Sequence, residues 1–223
     1  MSTPDDVVFL FDVDNTLLDN DHVISDLRSH LTEAFGAACS DRYWQLFEAL
    51  RSELGYADYL GALQRYRGEN ESDTRLLQMS AFLINYPFPE RVYPGAFDAI
   101  GYAREAGPTV IVSDGDVVFQ PRKIERAGLW KAFDGRVMIF IHKERMLRAI
   151  EAAYPARHYV MIDDKLRILT AMKEQWGDRL TTVFVRQGHY AHDTEAIADF
   201  PAADLTIETI AELKDVPMAA LLG

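Results

Sequence analysis

Asp12 and Asp14, which follow an apolar run near the start of the chain, are the first residues whose types and spacing suggest chemistry. Residues 7–11 read Val-Val-Phe-Leu-Phe, and such a run is typical of a strand buried in a parallel sheet. Ligands of open α/β sheets bind beyond the carboxyl ends of these strands. Strand alternation directs both carboxylates to one side, where like charges repel unless a cation or a shared proton relieves them. The pair therefore predicts bound Mg²⁺, which prefers oxygen ligands.

The same segment has a structural interpretation, in which Asp-x-Asp-x-Thr is a polar turn and Asp14 or Thr16 caps the next helix. Three later apolar runs weigh against it, because each of them also ends in polar residues. The runs and the residues that follow them are 109–112 with Ser113, Asp114, Gly115 and Asp116; 137–141 with His142 and Lys143; and 159–162 with Asp163, Asp164 and Lys165. Their shared position at predicted strand ends favours a functional interpretation of all four segments.

In their order along the chain, these four polar segments resemble the four signatures of the haloacid dehalogenase-like (HAD) superfamily. Residues 12–16 resemble the first, Ser113 the second, Lys143 the third, and the pair at 163–164 the fourth. One such match is a weak indication, whereas four in order at predicted strand ends form a specific pattern that covers the whole chain. The resemblance implies an α/β fold, with a three-layer α/β/α Rossmannoid core built on a parallel sheet and an inserted all-helical cap.

The resemblance and the chemistry of carboxylates assign the same roles to the first acidic pair. A carboxylate can attack phosphorus and form an aspartyl phosphate, which divides one difficult displacement into two easier ones, and Asp12 is the predicted nucleophile. Asp14 is the predicted general acid and base, which protonates the leaving alkoxide and then takes a proton from the hydrolytic water. To act first as an acid, Asp14 must hold a proton near neutral pH, so we expect it to be buried and crowded by like charge.

Phosphoryl transfer depends on positioning and on neutralising the negative charge of the phosphoryl oxygens. Ser113 supplies a hydroxyl group and Lys143 a compact positive charge, and we predict that both are catalytic. The backbone amides of Asp114 and Gly115 are predicted to donate to the substrate, and Thr16 is predicted to contact it. Taken singly, the Ser-Asp-Gly segment also fits an ordinary turn, and a lysine after a strand is usually solvated.

By resemblance, the protein ligands of Mg²⁺ are the side chains of Asp12 and Asp163 and the backbone carbonyl of Asp14. The role of Asp164 stays open, because the commoner form of the fourth signature has two acids a few residues apart, whereas here the acids are adjacent. Adjacent residues at a strand end point in different directions, so Asp164 can bind the metal directly or through water, orient Lys143, or cap the following helix.

Asp14 also separates branches of the superfamily. The resemblance implies that dehalogenases lack a carboxylate at this position, because a halide leaves without a proton. We therefore predict a magnesium-dependent phosphatase that hydrolyses a small phosphate monoester. Three alternatives stay open: a phosphomutase or phosphotransferase, a phospho-receiver-like signalling domain, and a catalytically silent binding protein. A receiver fits less well, since receivers are shorter and carry the phosphorylated aspartate on a later strand than the acidic pair.

Composition limits the partners that the chain can have. Its 223 residues are 48% hydrophobic, which suits a sizeable core, and its net charge is −12. This charge argues against nucleic-acid polymers, whose binding requires a basic surface, and a small phosphorylated metabolite is expected instead. No apolar run approaches the roughly 20 residues that span a bilayer. Together with a single cysteine, Cys39, this predicts a cytoplasmic protein with no membrane partner; the oligomeric state stays open.

About ninety residues separate the first and second signatures, more than a strand crossover requires. Apolar residues recur there at helical spacing, and Ser25 and Ser40 are candidate N-caps. We expect residues 20–89 to form a helical cap of the C1 type, and residues 1–19 and 90–223 to form the core. The sequence does not identify the cap residues that contact the substrate.

After the predicted cap, helical and strand patterns alternate to the end of the chain, which predicts right-handed crossovers in a parallel sheet. The resemblance places the first strand between the strands that carry the second and fourth signatures. Residues 186–190 follow a later strand at the same edge, so Arg186 and His189 are weaker candidates for substrate contact. Residues 55–59 and 64–67 concentrate aromatic and basic groups in the cap, where contact with a leaving group is one alternative. We favour the other, in which these groups serve packing and the surface.

Overall fold

A single sheet of six strands runs through the described part of the chain, which is residues 5–223 of this computed structural model. Residues 1–4, which belong to the predicted core segment 1–19, lie outside the described residues. The strands are β1 (Asp5–Phe11), β2 (Thr109–Asp114), β3 (Val137–Phe140), β4 (Ala156–Asp163), β5 (Leu180–Val185) and β6 (Leu205–Ile207). All neighbouring strands are parallel, in the spatial order β3-β2-β1-β4-β5-β6.

Helices fill the connections between the strands. The α-helices are α1 (Asn20–Phe35), α2 (Ala37–Leu54), α3 (Tyr59–Glu69), α4 (Leu76–Asn85), α5 (Ala96–Arg104), α6 (Phe119–Arg126), α7 (Leu129–Ala132), α8 (Leu147–Ala153), α9 (Leu166–Trp176), α10 (Thr194–Ala198) and α11 (Met218–Leu221). Short 3₁₀ turns lie at Phe88–Arg91, Lys143–Arg145, Gly177–Arg179, Tyr190–His192 and Ile210–Asp215. Five α-helices lie between β1 and β2, and the first four of them, α1 to α4, confirm the all-helical insert. None of the described helices is both long and apolar enough to cross a membrane.

Both faces of β1 are buried, as its continuous apolar run predicts. Phe9 and Phe11 pack into the hydrophobic cluster that includes the insert and α6, whereas Val8 and Leu10 pack into the cluster on the other face, with α8 and α9. This division follows from strand alternation, which directs successive side chains to opposite faces. The three-layer α/β/α arrangement is therefore confirmed, while the exact bounds of core and cap stay a prediction.

The strand register brings the polar segments to one edge of the sheet. Phe11, the last residue of β1, pairs with Ile111 in β2 and with Ile162 in β4. The predicted central position of β1, between the strands of the second and fourth signatures, is confirmed. Strand order reverses between β1 and β4, and open α/β sheets bind their ligands at such a reversal.

The first two helices of the insert begin earlier than the candidate caps suggest. Asp19, and not Ser25, caps α1, since its carboxylate accepts from the backbone amide of His22 at 3.0 Å. Gly36, with φ at 92°, separates α1 from α2, so Ser40 lies within the second helix rather than at its start. The apolar periodicity used for prediction marks the buried face of a helix, and its first turn can precede the first apolar residue.

Candidate active site

Lys143 lies between two carboxylates that come from different strands. Asp12 follows β1, Asp163 ends β4, and Lys143 follows β3. The ammonium nitrogen of Lys143 lies 2.5 Å from Asp12 Oδ1 and 2.6 Å from Asp163 Oδ2, and it donates to the backbone carbonyl of Val112 at 3.3 Å. All three charged side chains are buried. The sheet thus brings residues of the first, third and fourth predicted signatures into one cluster.

Burial and neighbouring charge act in opposite directions on this cluster. Burial alone lowers the pKa of Lys143, but the carboxylates of Asp12 and Asp163 raise it, and the resulting pKa is above the usual value of a lysine. Burial raises the pKa of the Asp163 carboxyl group despite the nearby ammonium. Lys143 therefore stays charged at neutral pH, and its single positive charge is shared by two carboxyl groups.

Three buried carboxyl groups form a potential binding site for a divalent cation. Oxygen atoms of Asp12, Asp163 and Asp164 lie within 4.8 Å of one another. Among the described residues, both oxygens of Asp164 and the Oδ2 atom of Asp12 are buried without a hydrogen-bond partner. Burial also raises the pKa of Asp164 well above its usual value. An ionised carboxylate here is unfavourable unless a cation satisfies it, and a set of ligands made only of oxygen atoms fits Mg²⁺.

The contacts of Asp164 distinguish the roles that the sequence leaves open for it. Lys165 occupies the N-cap position of α9 and no side chain caps this helix, so Asp164 does not act as a cap. The ammonium group of Lys143 contacts Asp12 and Asp163, so these two residues, and not Asp164, orient it. Asp164 Oδ1 pairs only loosely with Lys165 Nζ, at 3.8 Å. The unsatisfied oxygens of Asp164 therefore favour metal binding over the other two roles.

Asp14 has a lysine partner that the sequence analysis does not include. Lys123 in α6 is fully buried, and its ammonium nitrogen lies 2.7 and 2.9 Å from the two carboxylate oxygens of Asp14 and 2.9 Å from Asn20 Oδ1. The side chain of Asp14 is 23% exposed and lines a cavity. The expectation that Asp14 is buried and crowded by like charge is therefore wrong, because the group that faces it is an ammonium.

One sequence signal points to Lys123. In α6 the buried residues are Phe119, Gln120, Lys123 and Ile124, which lie on one face of the helix. A lysine in the apolar stripe of an amphipathic helix requires a partner, because a buried ammonium without one is strongly destabilising. The sequence does not say which acid supplies that partner.

Ser113 and Asp114 are held by polar contacts at the end of β2. Ser113 Oγ accepts from Gln120 Nε2 at 3.0 Å. Asp114 Oδ1 accepts from the backbone amide of Lys143 at 2.7 Å. Burial raises the pKa of Asp114 to about 6, although the positive charge of Lys143 acts to lower it. The end of β2 therefore positions the start of the segment that carries Lys143.

Two predicted substrate contacts are not placed at the cavity by the structure. The amide of Gly115 donates to the backbone carbonyl of Phe140 at 2.9 Å, so it is already used in pairing beside β3 and is not free for a substrate oxygen. Thr16 is fully buried, and its Oγ1 has no hydrogen-bond partner among the described residues. Neither residue lines the cavity. Of the other predicted site residues, Asp14 and Asp114 line it, whereas the buried residues Asp12, Ser113, Lys143, Asp163 and Asp164 do not.

A cavity of about 760 Å³ lies between the insert and the strand ends. Helices α1 to α3 line one side, and Asp114 at the end of β2 together with residues after β1, β4 and β5 line the other. Its aromatic lining consists of Trp44, Phe47, Tyr56, Tyr59, Tyr190 and Phe200. Its basic lining consists of Arg28, Arg51, Lys165 and Arg167. The volume is typical of a small-molecule site and far exceeds that of a phosphate group.

The weaker candidates divide into residues that line the cavity and residues that do not. His189 lines it, and its backbone amide and Nδ1 contact the Asp21 carboxylate at 2.7 and 2.6 Å. Arg186 does not line the cavity. Most of the segment 55–59 lines it, whereas the segment 64–67 does not. Aromatic residues of the first segment are therefore candidates for contact with the part of a substrate that leaves.

Comparison with known proteins identifies the family. The sequence matches the haloacid dehalogenase-like hydrolase family over residues 7–175. The chain belongs to this family. None of the curated proteins matches it.

Solved structures of other HAD-like hydrolases share the fold. One from Burkholderia xenovorans LB400 is 65% identical, with a TM-score of 0.92, and the match covers 96% of this chain and 100% of that chain. A HAD-hydrolase from Bacillus subtilis, bound to magnesium, is 17% identical, with a TM-score of 0.59 and coverage of 95% and 98%. An L-2-haloacid dehalogenase from Xanthobacter autotrophicus is 17% identical, with a TM-score of 0.61 and coverage of 93% and 96%. At such low identity, the last two show a common fold alone.

Proposed function

We propose that this HAD-like hydrolase is a magnesium-dependent phosphatase that hydrolyses a small phosphate monoester through an aspartyl phosphate. The observation that carries the proposal is the carboxylate of Asp14, which lines the cavity two residues after Asp12. An alkoxide leaving group needs a proton, which a carboxyl group can supply, whereas a halide leaves without one. A carboxyl group at this position therefore has a use in ester hydrolysis that it lacks in dehalogenation.

In the proposed reaction, Asp12 carries the phosphoryl group between two displacements. A carboxylate oxygen of Asp12 bonds to phosphorus while the ester P–O bond breaks, and Asp14, acting as the general acid, passes a proton to the leaving oxygen. Water then attacks phosphorus, Asp14 takes a proton from this water, and the bond between phosphorus and Asp12 breaks. Inorganic phosphate leaves, and both aspartates return to their starting states.

The buried oxygens of the cluster support a role for magnesium. The side chains of Asp12, Asp163 and Asp164 and the backbone carbonyl of Asp14 are the proposed ligands, and the unsatisfied oxygens of Asp164 are the observation that favours them. Bound there, Mg²⁺ would neutralise part of the negative charge on the transferring group.

Lys143 and Ser113 supply the remaining stabilisation in this proposal. Lys143 is fixed against Asp12 by a buried contact, so its charge lies beside the position where the phosphoryl group is transferred. Ser113 Oγ accepts a hydrogen bond from Gln120 and donates to the backbone carbonyl of Asp114 only over a long distance of 3.5 Å, so its hydroxyl proton can turn to a phosphoryl oxygen. Both groups are held before substrate binds, which lowers the cost of reorganisation.

The cavity supports a small anionic substrate. Four basic residues line it beside four acidic ones, Asp14, Asp21, Glu48 and Asp114, so individual arginine and lysine side chains are available to pair with a phosphoryl group although the lining has no net positive charge. The net charge still argues against nucleic-acid polymers. The cytoplasmic location and the bounds of core and cap stay predictions.

Hydrolysis of p-nitrophenyl phosphate tests the proposal. We expect the protein with Mg²⁺ to release p-nitrophenol, EDTA to stop the release, and added Mg²⁺ to restore it. Turnover that is unaffected by the chelator, or chloride release from L-2-chloropropionate without any phosphatase activity, would overturn the proposal. Formation of a new sugar phosphate in the presence of a sugar acceptor would instead favour the phosphotransferase alternative.

A further inference from the structure

Lys123 lies where three parts of the fold meet. Its helix, α6, follows β2 in the core, Asp14 belongs to the loop after β1, and Asn20 is the first residue of α1 in the insert. One ammonium nitrogen contacts both carboxylate oxygens of Asp14 and the amide oxygen of Asn20, at distances between 2.7 and 2.9 Å. These contacts join residues that are more than 100 positions apart in the sequence.

The contacts of Lys123 cannot be lost without cost, because its side chain is fully buried. An ammonium group has three donor hydrogens, and the oxygens of Asp14 and Asn20 accept from it. The rings of Tyr59 and Phe119, whose centroids lie 5.9 and 5.5 Å from the nitrogen, surround the remaining space. A buried charge that loses its partner is strongly destabilised. Lys123 therefore restrains the position of the Asp14 carboxylate.

Asn20 extends this network into the insert. Its side-chain nitrogen donates to the hydroxyl oxygen of Tyr59 in α3 at 3.4 Å, and its backbone amide donates to Asn15 Oδ1 at 3.0 Å. The hydroxyl of Tyr43 in α2 in turn donates to the backbone carbonyl of Tyr59 at 3.0 Å. The position of the ammonium group is therefore tied to three helices of the insert as well as to α6.

We propose that Lys123 is a positioning residue, which holds the carboxyl group of Asp14 at the cavity and, through Asn20, ties its position to the helical insert. The proposal rests on the proposed phosphatase function, since Asp14 has its acid and base role only there. Lys123 does not line the cavity, so it acts through Asp14 and not on the substrate. Each carboxylate oxygen has a second lone pair, which leaves room for the proton that Asp14 must transfer.

The dependence of rate on the leaving group separates positioning from a merely structural role. A p-nitrophenolate anion leaves with little help from an acid, whereas an alkoxide needs a proton. The ratio kcat/KM covers the steps up to formation of the aspartyl phosphate, so it reports departure of the leaving group and not the later hydrolysis. Loss of a positioned acid must therefore lower kcat/KM more for an alkyl phosphate than for p-nitrophenyl phosphate.

The test compares Lys123→Met with the wild type on p-nitrophenyl phosphate and on glycerol 2-phosphate. We expect kcat/KM for glycerol 2-phosphate to fall at least about tenfold more than kcat/KM for the aryl ester. Lys123→Arg, which retains a positive charge, should recover part of the activity on the alkyl ester. The control is Lys131→Met, at an exposed lysine of α7, for which we expect the same ratio of the two activities as in the wild type.

A second variant keeps the inference testable if Lys123→Met does not fold. Asn20→Ala removes the link to the insert but leaves the pair of Lys123 and Asp14, and we expect a change in the same direction and of smaller size. Equal losses on both esters in Lys123→Met, or an unchanged ratio in Asn20→Ala, would overturn the inference. A wild-type protein that hydrolyses neither ester would instead overturn the proposed function, and the inference with it.

Discussion

The ammonium nitrogen of Lys143 lies 2.5 Å from Asp12 Oδ1, although 131 positions separate the two residues in the sequence. Asp12 follows β1 and Lys143 follows β3, so the contact crosses the end of β2, where the nitrogen also meets the carbonyl of Val112. Neighbouring strands are about 4.8 Å apart, so β1 and β3 are about 9.6 Å apart, a separation that the side chains of Lys143 and Asp12 span together. The spatial order β3-β2-β1 is thus a condition for this contact, and it makes the strand ends one functional unit.

Asp12→Asn is expected to abolish turnover without unfolding the chain. The amide oxygen of asparagine can still accept from Lys143, and the loss of one of three close carboxylates relieves repulsion. We expect phosphatase activity to fall at least about a thousandfold and the melting temperature without metal to stay the same or rise. Steady-state assays and calorimetry measure the two effects. The control is Asp6→Asn, at an exposed pair with Arg157. If Asp12→Asn kept an activity close to that of Asp6→Asn, the nucleophilic role of Asp12 would be contradicted.

Asp164→Asn separates the cost of a buried carboxylate from its use as a ligand. Both oxygens of Asp164 are buried without a hydrogen-bond partner in the described part of the chain, so a neutral amide should stabilise the metal-free protein by about 1 kcal/mol. The stabilisation that Mg²⁺ gives should become smaller, because one ligand loses its charge. Thermal unfolding in EDTA and in Mg²⁺ measures both effects, with the exposed Asp178→Asn as control. An undiminished Mg²⁺ shift would show that Asp164 does not contact the metal.

The acidic cluster is predictable from the sequence because its members stand at the ends of buried strands. Each apolar run that predicts a strand forms one in the sheet, and parallel strands end at the same edge. Asp12, Lys143 and Asp163 therefore meet as predicted. The order of the strands in space comes from the family resemblance, since the apolar runs alone do not specify which strand lies next to which.

Contacts that depend on packing between elements are not predictable in this way. Lys123 is one of six lysines in the sequence, and only the docking of α6 beside the loop after β1 gives it Asp14 as a partner. The Gly115 amide appears free in the sequence, but the register that pairs Asp114 with Phe140 uses it. Both differences arise because long-range register and helix docking set hydrogen-bond partners, and local spacing does not define either of them.

Asp204, which directly precedes β6, makes a pH-dependent contact with Lys173 and with Thr182 in β5. Burial acts to raise the pKa of Asp204, but hydrogen bonds from Lys173 and Thr182 bring it below its usual value of 3.8. We expect Asp204→Asn to lower the free energy of unfolding at pH 7 by no more than about 1 kcal/mol, because solvent screens this partly exposed pair.

The sign of the pH dependence follows from the lowered pKa. The stabilisation by Asp204 is complete above the pKa of the unfolded chain and is lost as the pH falls through the lower pKa of the folded protein. Urea unfolding of wild type and Asp204→Asn over a series of decreasing pH values measures the difference. This difference must shrink toward acid, and one that stays constant with pH would contradict the assignment.

Gly55 ends α2 of the insert at a point of contact with the core. Its φ of 82° lies in the left-handed region, and an added Cβ would lie 2.7 Å from Cε1 of His142. Gly55→Ala therefore adds backbone strain of about 1 kcal/mol and displaces either the His142 ring or the end of α2. Since Gly55 lines the cavity and His142 precedes Lys143, we expect kcat/KM to fall by more than the loss of stability explains.

Two other glycine substitutions separate strain from contact in that prediction. Gly36→Ala adds backbone strain without a new contact, because φ is 92° and no described atom lies within 4 Å of the added Cβ. Gly68→Ala in α3 adds neither strain nor contact. Because its ψ of 157° places Gly36 in a region that is essentially restricted to glycine, we expect Gly36→Ala to lose at least as much stability as Gly55→Ala but to retain kcat/KM. We expect Gly68→Ala to be at least as stable as the wild type, since alanine favours a helix. Equal kinetic losses at positions 36 and 55 would show that strain within the insert, and not its contact with His142, determines the rate.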